Sequence, residues 1–352
     1  TPMSIMIGVG KAAEFGALIR NGDALQQVGK LDVIVLDKTG TVTEGKPSVT
    51  EVSAARDWSR DDVLRLAACL EKVSEHPLAE AIVAAAEDGN LALPAAEKFN
   101  AIAGHGAEAH VDGRKVLLGS RKLMADHDID TSDLEDAARQ AMTRAQTPVY
   151  VAVENAVAGL ISIADAIKPD SREAIQRLQR AGITVALLTG DNQATADAVA
   201  DEIGIKEVFA EVLPEDKAEK IASLQQAGHL VGMVGDGIND APALARSDVG
   251  FAIGTGTDVA IESADITLMR GSLQGVVDVV VVSRATVRNI KQNLFGAFIY
   301  NTLGIPIAAG VLFPFVGILL NPMIAGAAMA MSSVTVVSNA NRLRFLKQGA
   351  TP

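Results

Sequence analysis

Short apolar runs alternate with longer amphipathic stretches over much of the chain. The run Val33–Leu36 consists of strand-favouring residues and ends in a Gly/Thr turn, which predicts a buried strand. Thr184–Leu188 and Leu230–Val234 have the same character. Helical patterns follow near Gln193–Ile203 and Glu215–Gln226. Strands that alternate with helices predict an α/β fold with a parallel, doubly wound sheet.

Polar side chains suited to phosphate chemistry follow each of these predicted strands. They are Asp37 after the first, Thr189, Gly190 and Asp191 after the second, Asp236, Asn239 and Asp240 after the third, and Lys217 between the last two. Ligands bind at the carboxyl ends of strands in α/β sheets. Carboxylates crowded there repel one another unless a cation is present, which predicts Mg²⁺. The set favours attack by Asp37 on a phosphoryl group, although a lone Asp would more simply open a turn.

Three motifs occur in a fixed order along the chain: Asp37-Lys38-Thr39-Gly40-Thr41, Thr189-Gly190-Asp191-Asn192 and Gly235-Asp236-Gly237-Ile238-Asn239-Asp240-Ala241-Pro242. As an ordered set they resemble the P-type ATPases, whose phosphorylation domain belongs to the haloacid dehalogenase superfamily. The resemblance covers essentially the whole chain. It implies an α/β, haloacid-dehalogenase-like Rossmannoid phosphorylation domain with an inserted α+β nucleotide-binding domain, followed by a transmembrane α-helical hairpin.

The expected domain boundaries follow from this resemblance and from the patterns. Residues 1–30 are predicted to be the end of a membrane helix and a cytosolic extension, 31–47 and 161–272 the phosphorylation domain, 48–160 the nucleotide-binding domain, and 273–352 the membrane hairpin with cytosolic flanks. The segment between the first two motifs is too long for a loop and is expected to fold as a domain of its own.

Two weak motifs inside the insertion together resemble the nucleotide-binding domain of heavy-metal P-type ATPases. They are Ser74-Glu75-His76-Pro77 and Gly104-His105-Gly106. The resemblance implies ATP binding by Glu75, His76, Gly104 and Gly106. Glycine lets the backbone approach a base closely, a carboxylate can accept from an adenine amine, and His76 can stack or hydrogen-bond. The alternative is that His76 caps a helix and the glycines form a plain hairpin.

No charged residue occurs between Gln292 and Asn341. This length exceeds one membrane span of about 20 residues and predicts a two-helix hairpin with its turn near Phe313–Gly317. Basic residues flank both ends, which places both ends on the cytosolic side. They are Arg284, Arg288, Lys291, Arg342, Arg344 and Lys347. A buried soluble helix pair is the alternative.

Polar residues within the predicted hairpin point to the transported ion. Tyr300-Asn301 and Met331-Ser332-Ser333 resemble the monovalent copper and silver branch of the family. The resemblance implies that Tyr300, Asn301, Met331 and Ser332 bind transported Cu⁺ or Ag⁺, for which a thioether is a suitable soft ligand. Plain helix–helix hydrogen bonding is the alternative. The zinc and cadmium branch, which carries a Lys and an Asp in these helices, remains the alternative subclass.

The resemblance also implies a role for each residue of the phosphorylation site. Asp37 would be the nucleophile, and Mg²⁺ would bind Asp37, the Thr39 carbonyl and Asp236. Lys217 would neutralise phosphoryl charge, and Thr189 and Gly190 would donate hydrogen bonds. Lys38 and Thr39 are assigned to the ATP site, and Asp191, Asn239 and Asp240 to the catalytic pocket. Thr39 stands where superfamily phosphatases carry an acid/base Asp, which predicts a long-lived phosphoenzyme. A stand-alone aspartyl-phosphate phosphohydrolase and a non-catalytic nucleotide-binding partner are the rival functions.

Composition limits the classes of partner and of covalent cross-link that the chain can have. A formal net charge of −12 disfavours nucleic acid, and the single cysteine, Cys69, excludes an intramolecular disulfide framework. The chain opens on Thr1-Pro2, and the resemblance to the heavy-metal branch implies a Cys-Pro-Cys motif just upstream. The resemblance implies as partners ATP, a soft monovalent ion, the lipid bilayer, the N-terminal part of the same pump with its actuator domain, and a metallochaperone. The expected location is a bacterial inner or plasma membrane, with the soluble domains cytosolic.

Overall fold

A computed structural model describes residues 2–74, 77–102, 104–254, 256–311, 315 and 321–349. The chain divides into two compact units. The first contains Thr1–Val35, Glu173–Thr184 and Ala218–Pro352, and the second contains Leu36–Arg172 and Val185–Lys217. The first two ordered motifs lie in the second unit, and the third lies in the first unit.

The helices of the described chain are α1 (Pro2–Glu14), α2 (Gly22–Val28), α3 (Arg60–Glu71), α4 (Pro77–Asp88), α5 (Arg121–Asp126), α6 (Glu135–Thr143), α7 (Ser171–Arg180), α8 (Gln193–Ile203), α9 (Lys217–Gln226), α10 (Ala241–Arg246), α11 (Asp258–Ser263), α12 (Gln274–Ala308) and α13 (Pro322–Asn341). The strands are β1 (Ala17–Ile19), β2 (Val33–Asp37), β3 (Ser48–Ala54), β4 (Glu97–Ile102), β5 (Gly106–Val111), β6 (Arg114–Gly119), β7 (Thr147–Val153), β8 (Ala156–Ala164), β9 (Thr184–Leu188), β10 (Glu207–Phe209), β11 (Val231–Gly235), β12 (Val249–Ile253) and β13 (Ile266–Leu268).

One sheet contains seven strands in the order β1-β13-β12-β11-β2-β9-β10. Strands β11, β12 and β13 run parallel, as do β9 and β10. At the start of β2, the amides of Asp32 and Val33 donate to the Leu230 carbonyl, and the Asp32 carbonyl accepts from the Thr184 amide. Every residue of β2, β11 and β12 is buried. Burial on both faces explains the uninterrupted apolar runs.

The N-terminal segment differs from the sequence prediction. Within residues 1–30, predicted as the end of a membrane helix and an extension, helix α1 ends at Glu14, and Gly16, with φ of 89°, turns the chain. Ala17–Ile19 then forms the edge strand β1, which pairs antiparallel with β13. The predicted parallel sheet therefore has an antiparallel edge strand here, where the glycine in the left-handed region ends the helix and a short strand follows.

The second unit contains a six-stranded sheet of order β3-β8-β7-β6-β5-β4, with antiparallel neighbours throughout. Neighbouring residues of a strand enter different cores. Leu118 and Ile161 pack with α3 and α4, whereas Leu117 and Leu160 pack with α5 and α6. Cys69 on α3 is fully buried in the first of these cores, consistent with a packing role.

Helix α12 changes its surroundings along its length of 35 residues. Its first part is buried, from Val276 to Val282, whereas Phe295, Phe298 and Ile305 are 66–70 % exposed. Within the described residues, no helix meets the combined length and hydropathy expected of a membrane span. The predicted turn at Phe313–Gly317 lies outside the described residues except for Phe315.

Candidate functional site

Asp37 is the last residue of β2 and is only 5 % exposed. After it, Lys38–Val42 form a tight helical turn in which Gly40 has φ of 73°. Gly45 packs so closely on this turn that a Cβ atom there would lie 2.9 Å from the Cα of Gly40. The turn is thereby held compact directly behind the carboxylate.

Lys217, the first residue of α9, faces this carboxylate. Its Nζ lies 2.6 Å from Asp37 Oδ1, and the two side chains are 10 % and 7 % exposed. A short ion pair with this little solvent is a strong, charge-assisted hydrogen bond, whose geometry must offset the loss of hydration. The structure thus brings together two residues that are 180 positions apart in the sequence.

A second ion pair joins the first two motifs. Lys38 Nζ lies 2.5 Å from Asp191 Oδ2, again with little exposure of either side chain. The Asp191 amide donates to Thr189 Oγ1 at 3.1 Å, and Thr189 is 4 % exposed. Gly190, by contrast, is exposed. Lys38 and Asp191 therefore hold the two loops together, while Gly190 can present its backbone to a ligand.

Lys168 is a residue of this site that the motif analysis did not single out. Its Nζ donates to the Gly40 carbonyl at 2.5 Å, and its amide donates to the Val42 carbonyl. Nearby, Thr43 Oγ1 donates to Asp165 Oδ2 at 2.5 Å. The signal in the sequence is segment 165–170, in which Asp165, Lys168 and Asp170 lie just before helix α7.

The third motif lies in the first unit and is organised by Asp240. This residue is 2 % exposed, and its Oδ2 accepts from the amides of Asp236 (3.2 Å) and Gly237 (3.1 Å). A Cβ atom at Gly235 would lie 2.8 Å from that same oxygen, so glycine is required there. Asp240 shapes the loop that presents Asp236, and Asn239 is exposed on it.

The candidate nucleotide residues are only partly described. Glu75 and His76 lie outside the described residues. Gly104 and Gly106 both have positive φ, 73° and 144°, but their surroundings differ. A Cβ atom at Gly106 would lie 2.0 Å from the Leu118 carbonyl oxygen, whereas at Gly104 the nearest atom would be Leu213 Cδ2 at 3.9 Å. Glycine is therefore needed at 106 for the close pairing of β5 with β6, whereas a Cβ atom at 104 would make only an ordinary van der Waals contact among the described residues.

Glu71, at the end of α3, was missed by the motif analysis. It is 8 % exposed, and burial raises the pKa of its carboxyl although a hydrogen bond with Ser74 opposes the rise. Its Oε2 is buried without a hydrogen-bond partner among the described residues. Helix α3 packs on β5, the strand that Gly106 begins. A buried acceptor oxygen without a donor is costly, which marks Glu71 as a candidate ligand contact.

The candidate ion-binding residues lie on α12 and α13. Tyr300 and Asn301 are helical residues of α12 whose side chains lie outside the described part. On α13, Met331 is 61 % exposed and Ser332 is half-buried. Ser332 lines a cleft of about 230 Å³ between the two helices, together with Asn293, Thr335 and Asn339. The structure therefore places two of these four side chains and is silent on the other two.

Comparison with known proteins gives one family match over part of the chain and relatives that cover nearly all of it. Residues 31–248 match the family described as haloacid dehalogenase-like hydrolase. The chain is 52 % identical to "Copper-transporting ATPase 2" of Rhizobium meliloti (strain 1021) over 344 residues, 98 % of this chain and 42 % of that protein. It is 48 % identical to "Silver exporting P-type ATPase" of Salmonella typhimurium over 349 residues, 99 % of this chain and 42 % of that protein.

A solved structure is similar over nearly the same range. The crystal structure of a zinc-transporting PIB-type ATPase superposes with a TM-score of 0.73 at 38 % identity, covering 97 % of this chain and 55 % of the other. The chain thus spans less than half the length of the two curated relatives.

Proposed function

Because the chain belongs to the haloacid dehalogenase-like hydrolases, we propose that it is the catalytic and C-terminal part of an ATP-driven Cu⁺ or Ag⁺ exporter that works through an aspartyl phosphate. The buried Asp37–Lys217 pair is the observation that carries the proposal. The similarity to copper- and silver-transporting ATPases over nearly the whole chain supports it.

Phosphoryl transfer would proceed from ATP to Asp37. With Oδ1 facing Lys217, Oδ2 is the oxygen that attacks the γ-phosphorus. The bond to the β,γ-bridging oxygen breaks, and ADP leaves with that electron pair. Lys217 offsets the negative charge that gathers on the phosphoryl oxygens, and the Gly190 amide and Thr189 hydroxyl donate to them. Lys38 and Asp191 hold the two loops in register for this step.

The donor set of the site fits Mg²⁺, which takes hard oxygen ligands. The chain supplies the carboxylates of Asp37, Asp236 and Asp240. We assign Asp37, the Thr39 carbonyl and Asp236 as the residues that hold the ion, with Asp240 ordering the loop of Asp236. When bound, the ion would neutralise charge on the transferred phosphoryl group.

The inserted sheet would bind the adenine end of ATP. Gly104 leaves space for a close approach of the base, and Glu71 offers an acceptor oxygen to its exocyclic amine. Glu75, His76 and Gly106 complete the proposed set. In this proposal, the inserted sheet binds the adenine base, and phosphoryl transfer takes place at Asp37.

Helices α12 and α13 would form the membrane hairpin of the pump. Their exposed faces carry large apolar side chains that are costly in water, among them Phe295, Phe298, Met323 and Val334. Tyr300, Asn301, Met331 and Ser332 would line the ion path, and the absence of a charged residue from Gln292 to Asn341 favours a soft monovalent ion over Zn²⁺. The protein would then be an inner- or plasma-membrane exporter with cytosolic catalytic domains. Its remaining partners would be an actuator domain, a Cys-Pro-Cys helix and a metallochaperone.

The full-length protein that carries this chain tests the proposal. Its ATPase activity should rise with Cu⁺ or Ag⁺ under reducing conditions and not with Zn²⁺. Asp37→Asn should abolish the acid-stable, hydroxylamine-labile label from γ-labelled ATP while ATP binding persists. A label of wild-type intensity in that variant would refute the nucleophile.

Met331→Ala tests the ion site separately. The variant should lose stimulation by Cu⁺, since its thioether is the soft ligand, yet still form phosphoenzyme from inorganic phosphate, which needs Asp37 and no transported ion. Stimulation by Zn²⁺ alone, or an unchanged response to Cu⁺ in this variant, would overturn the copper assignment and favour the zinc branch.

A further inference from the structure

Three helices of the first unit meet around a buried group of polar side chains, here called the amide cluster: Ser4 of α1, Asn289 and Asn293 of α12, and Asn339 of α13. Ser4 is fully buried, and Asn289 and Asn293 are each 5 % exposed. Polar groups this deep are costly unless they are hydrogen-bonded. Their arrangement therefore calls for a structural or functional reason.

The bonds of the amide cluster run between helices. Ser4 Oγ donates to Asn289 Oδ1 at 2.8 Å, and Asn293 Nδ2 donates to Ser4 Oγ at 3.1 Å. Asn339 Nδ2 donates to Asn293 Oδ1 at 2.9 Å, and Asn289 Nδ2 donates to the Asn339 carbonyl at 2.8 Å. These bonds join α1 to α12, and α12 to α13, through one continuous network.

Close packing next to the cluster keeps α1 and α12 in register. Ser4, Gly8 and Ala12 are the buried residues of α1 and lie on one face of it. A Cβ atom at Gly8 would fall 2.5 Å from Thr286 Oγ1 of α12. Helix α1 therefore packs directly on α12 at this point, where only glycine fits at position 8.

The positions of the cluster residues along the helices suggest their role. Asn293 precedes Tyr300 and Asn301 by about two helical turns, and Asn339 follows Met331 and Ser332 by about two turns. Toward the other end, α12 begins within the buried part of the first unit, and α1 leads along the chain to β2 and Asp37. The cluster thus lies between the proposed ion-binding segments and the segments that lead to the phosphorylation site.

We propose that the amide cluster couples ion occupancy to phosphorylation of Asp37, with Ser4, Asn289, Asn293 and Asn339 as positioning residues. This inference rests on the proposed function. The four residues are not assigned as ion ligands, because their hydroxyl and amide groups already hydrogen-bond one another. A change in the spacing of α12 and α13 at the ion would reach α1 through these bonds.

The test uses the full-length protein with Ser4→Ala, Asn293→Ala and Met331→Ala variants. Ser4→Ala removes the linking hydroxyl with little loss of volume. Thr286→Val is the matched control, since Thr286 is equally buried but its hydroxyl donates to Val282 of its own helix. Three quantities are measured: Cu⁺ bound at equilibrium, phosphoenzyme formed from ATP with Cu⁺, and phosphoenzyme formed from inorganic phosphate without metal.

Ser4→Ala and Asn293→Ala should bind Cu⁺ and react with inorganic phosphate as the wild type does, yet lose at least about tenfold in Cu⁺-stimulated phosphorylation from ATP. Met331→Ala should lose Cu⁺ binding itself, and Thr286→Val should change none of the three quantities. Wild-type stimulation in Ser4→Ala, or a parallel loss of all three quantities, would overturn the coupling role. A wild type that does not respond to Cu⁺ or Ag⁺ would refute the proposed function, and the coupling with it.

Discussion

At the residue scale, we expect the Asp37–Lys217 pair to affect stability as well as the proposed phosphoryl transfer, because each side chain faces the opposite charge in a buried place. Lys217→Met removes the ammonium group and leaves the Asp37 carboxylate buried without its opposite charge. We expect a loss of roughly 3 kcal/mol in unfolding free energy, the lower end for breaking a buried pair. Urea denaturation measures this loss.

The double variant Asp37→Asn/Lys217→Met is the control for that loss. The second substitution removes the Asp37 charge that Lys217→Met leaves unpaired, so part of the lost stability should return. Neither variant is expected to form a phosphoenzyme. If the two variants are equally unstable, charge pairing is not what Lys217 contributes, and packing of its alkyl chain explains the loss instead.

Glu71 provides a second prediction at this scale, with a defined pH dependence. Burial raises the pKa of its carboxyl above the ordinary value of 4.5, so the folded protein holds this proton to higher pH than the unfolded chain does. Stability from Glu71 is therefore greatest below pH 4.5 and declines as the pH rises through the raised pKa. Glu71→Met should stabilise the protein by about 1 kcal/mol at neutral pH, with a gain that shrinks on acidification.

The same variant should bind ATP about tenfold more weakly, since it removes the proposed acceptor for the adenine amine. Glu87→Met, which replaces an exposed carboxylate on the neighbouring helix α4, should alter neither stability nor affinity. Denaturation between pH 5 and 8 and nucleotide titration measure the two effects. Unchanged ATP affinity in Glu71→Met would remove Glu71 from the site.

The sequence identified the residues that lie in recognisable motifs and missed those defined by surroundings. Asp37 and Asp191 stand in ordered motifs and Lys217 lies between two of them, and the structure pairs Asp37 with Lys217. Glu71 ends an ordinary amphipathic helix, and only its burial and its unpartnered oxygen distinguish it. Lys168 belongs to the site because it donates to the Gly40 carbonyl, 128 positions away, and no local sequence pattern indicates such a contact.

At the scale of elements, Gly104 and Gly106 at the start of β5 should separate a folding role from a binding role. Gly106→Ala would force a Cβ atom onto the Leu118 carbonyl, so we expect the second unit to unfold or lose several kcal/mol. Gly104→Asn should cost little, because Asn tolerates positive φ and the space is open, yet it should weaken ATP binding by filling that space. Circular dichroism and nucleotide titration distinguish these outcomes, and a folded Gly106→Ala variant would contradict the first.

The main elements were predictable because their patterns are long and periodic. Helix α8 has the predicted limits, Gln193–Ile203, and the strand predicted at Val33–Leu36 extends one residue to Asp37. Strand β1 was not predictable, since three residues, Ala17–Ile19, become a strand only through pairing with β13, some 250 positions later. Tertiary pairing outweighs local propensity for so short a segment.

At the scale of the whole molecule, the inserted sheet should be separable from the rest of the chain, but at different limits from those the sequence indicates. Strand β3 pairs with β8 from Ser48 opposite Ala164 onward, so a fragment cut at residue 160 loses the partners of the first residues of β3. A fragment of residues 46–166 keeps the whole ladder and both cores. We expect it to fold cooperatively and to bind ATP weakly without Mg²⁺, because its proposed ligands surround the base and not the phosphates.

The fragment 48–160 should be less stable by about 1–3 kcal/mol, since it leaves edge groups of β3 without partners. Urea denaturation and nucleotide titration of both fragments measure these differences. Equal stability of the two would show that the pairing of β3 with the end of β8 contributes little, and a strict requirement for Mg²⁺ would place the nucleotide contacts at the phosphates instead of the base.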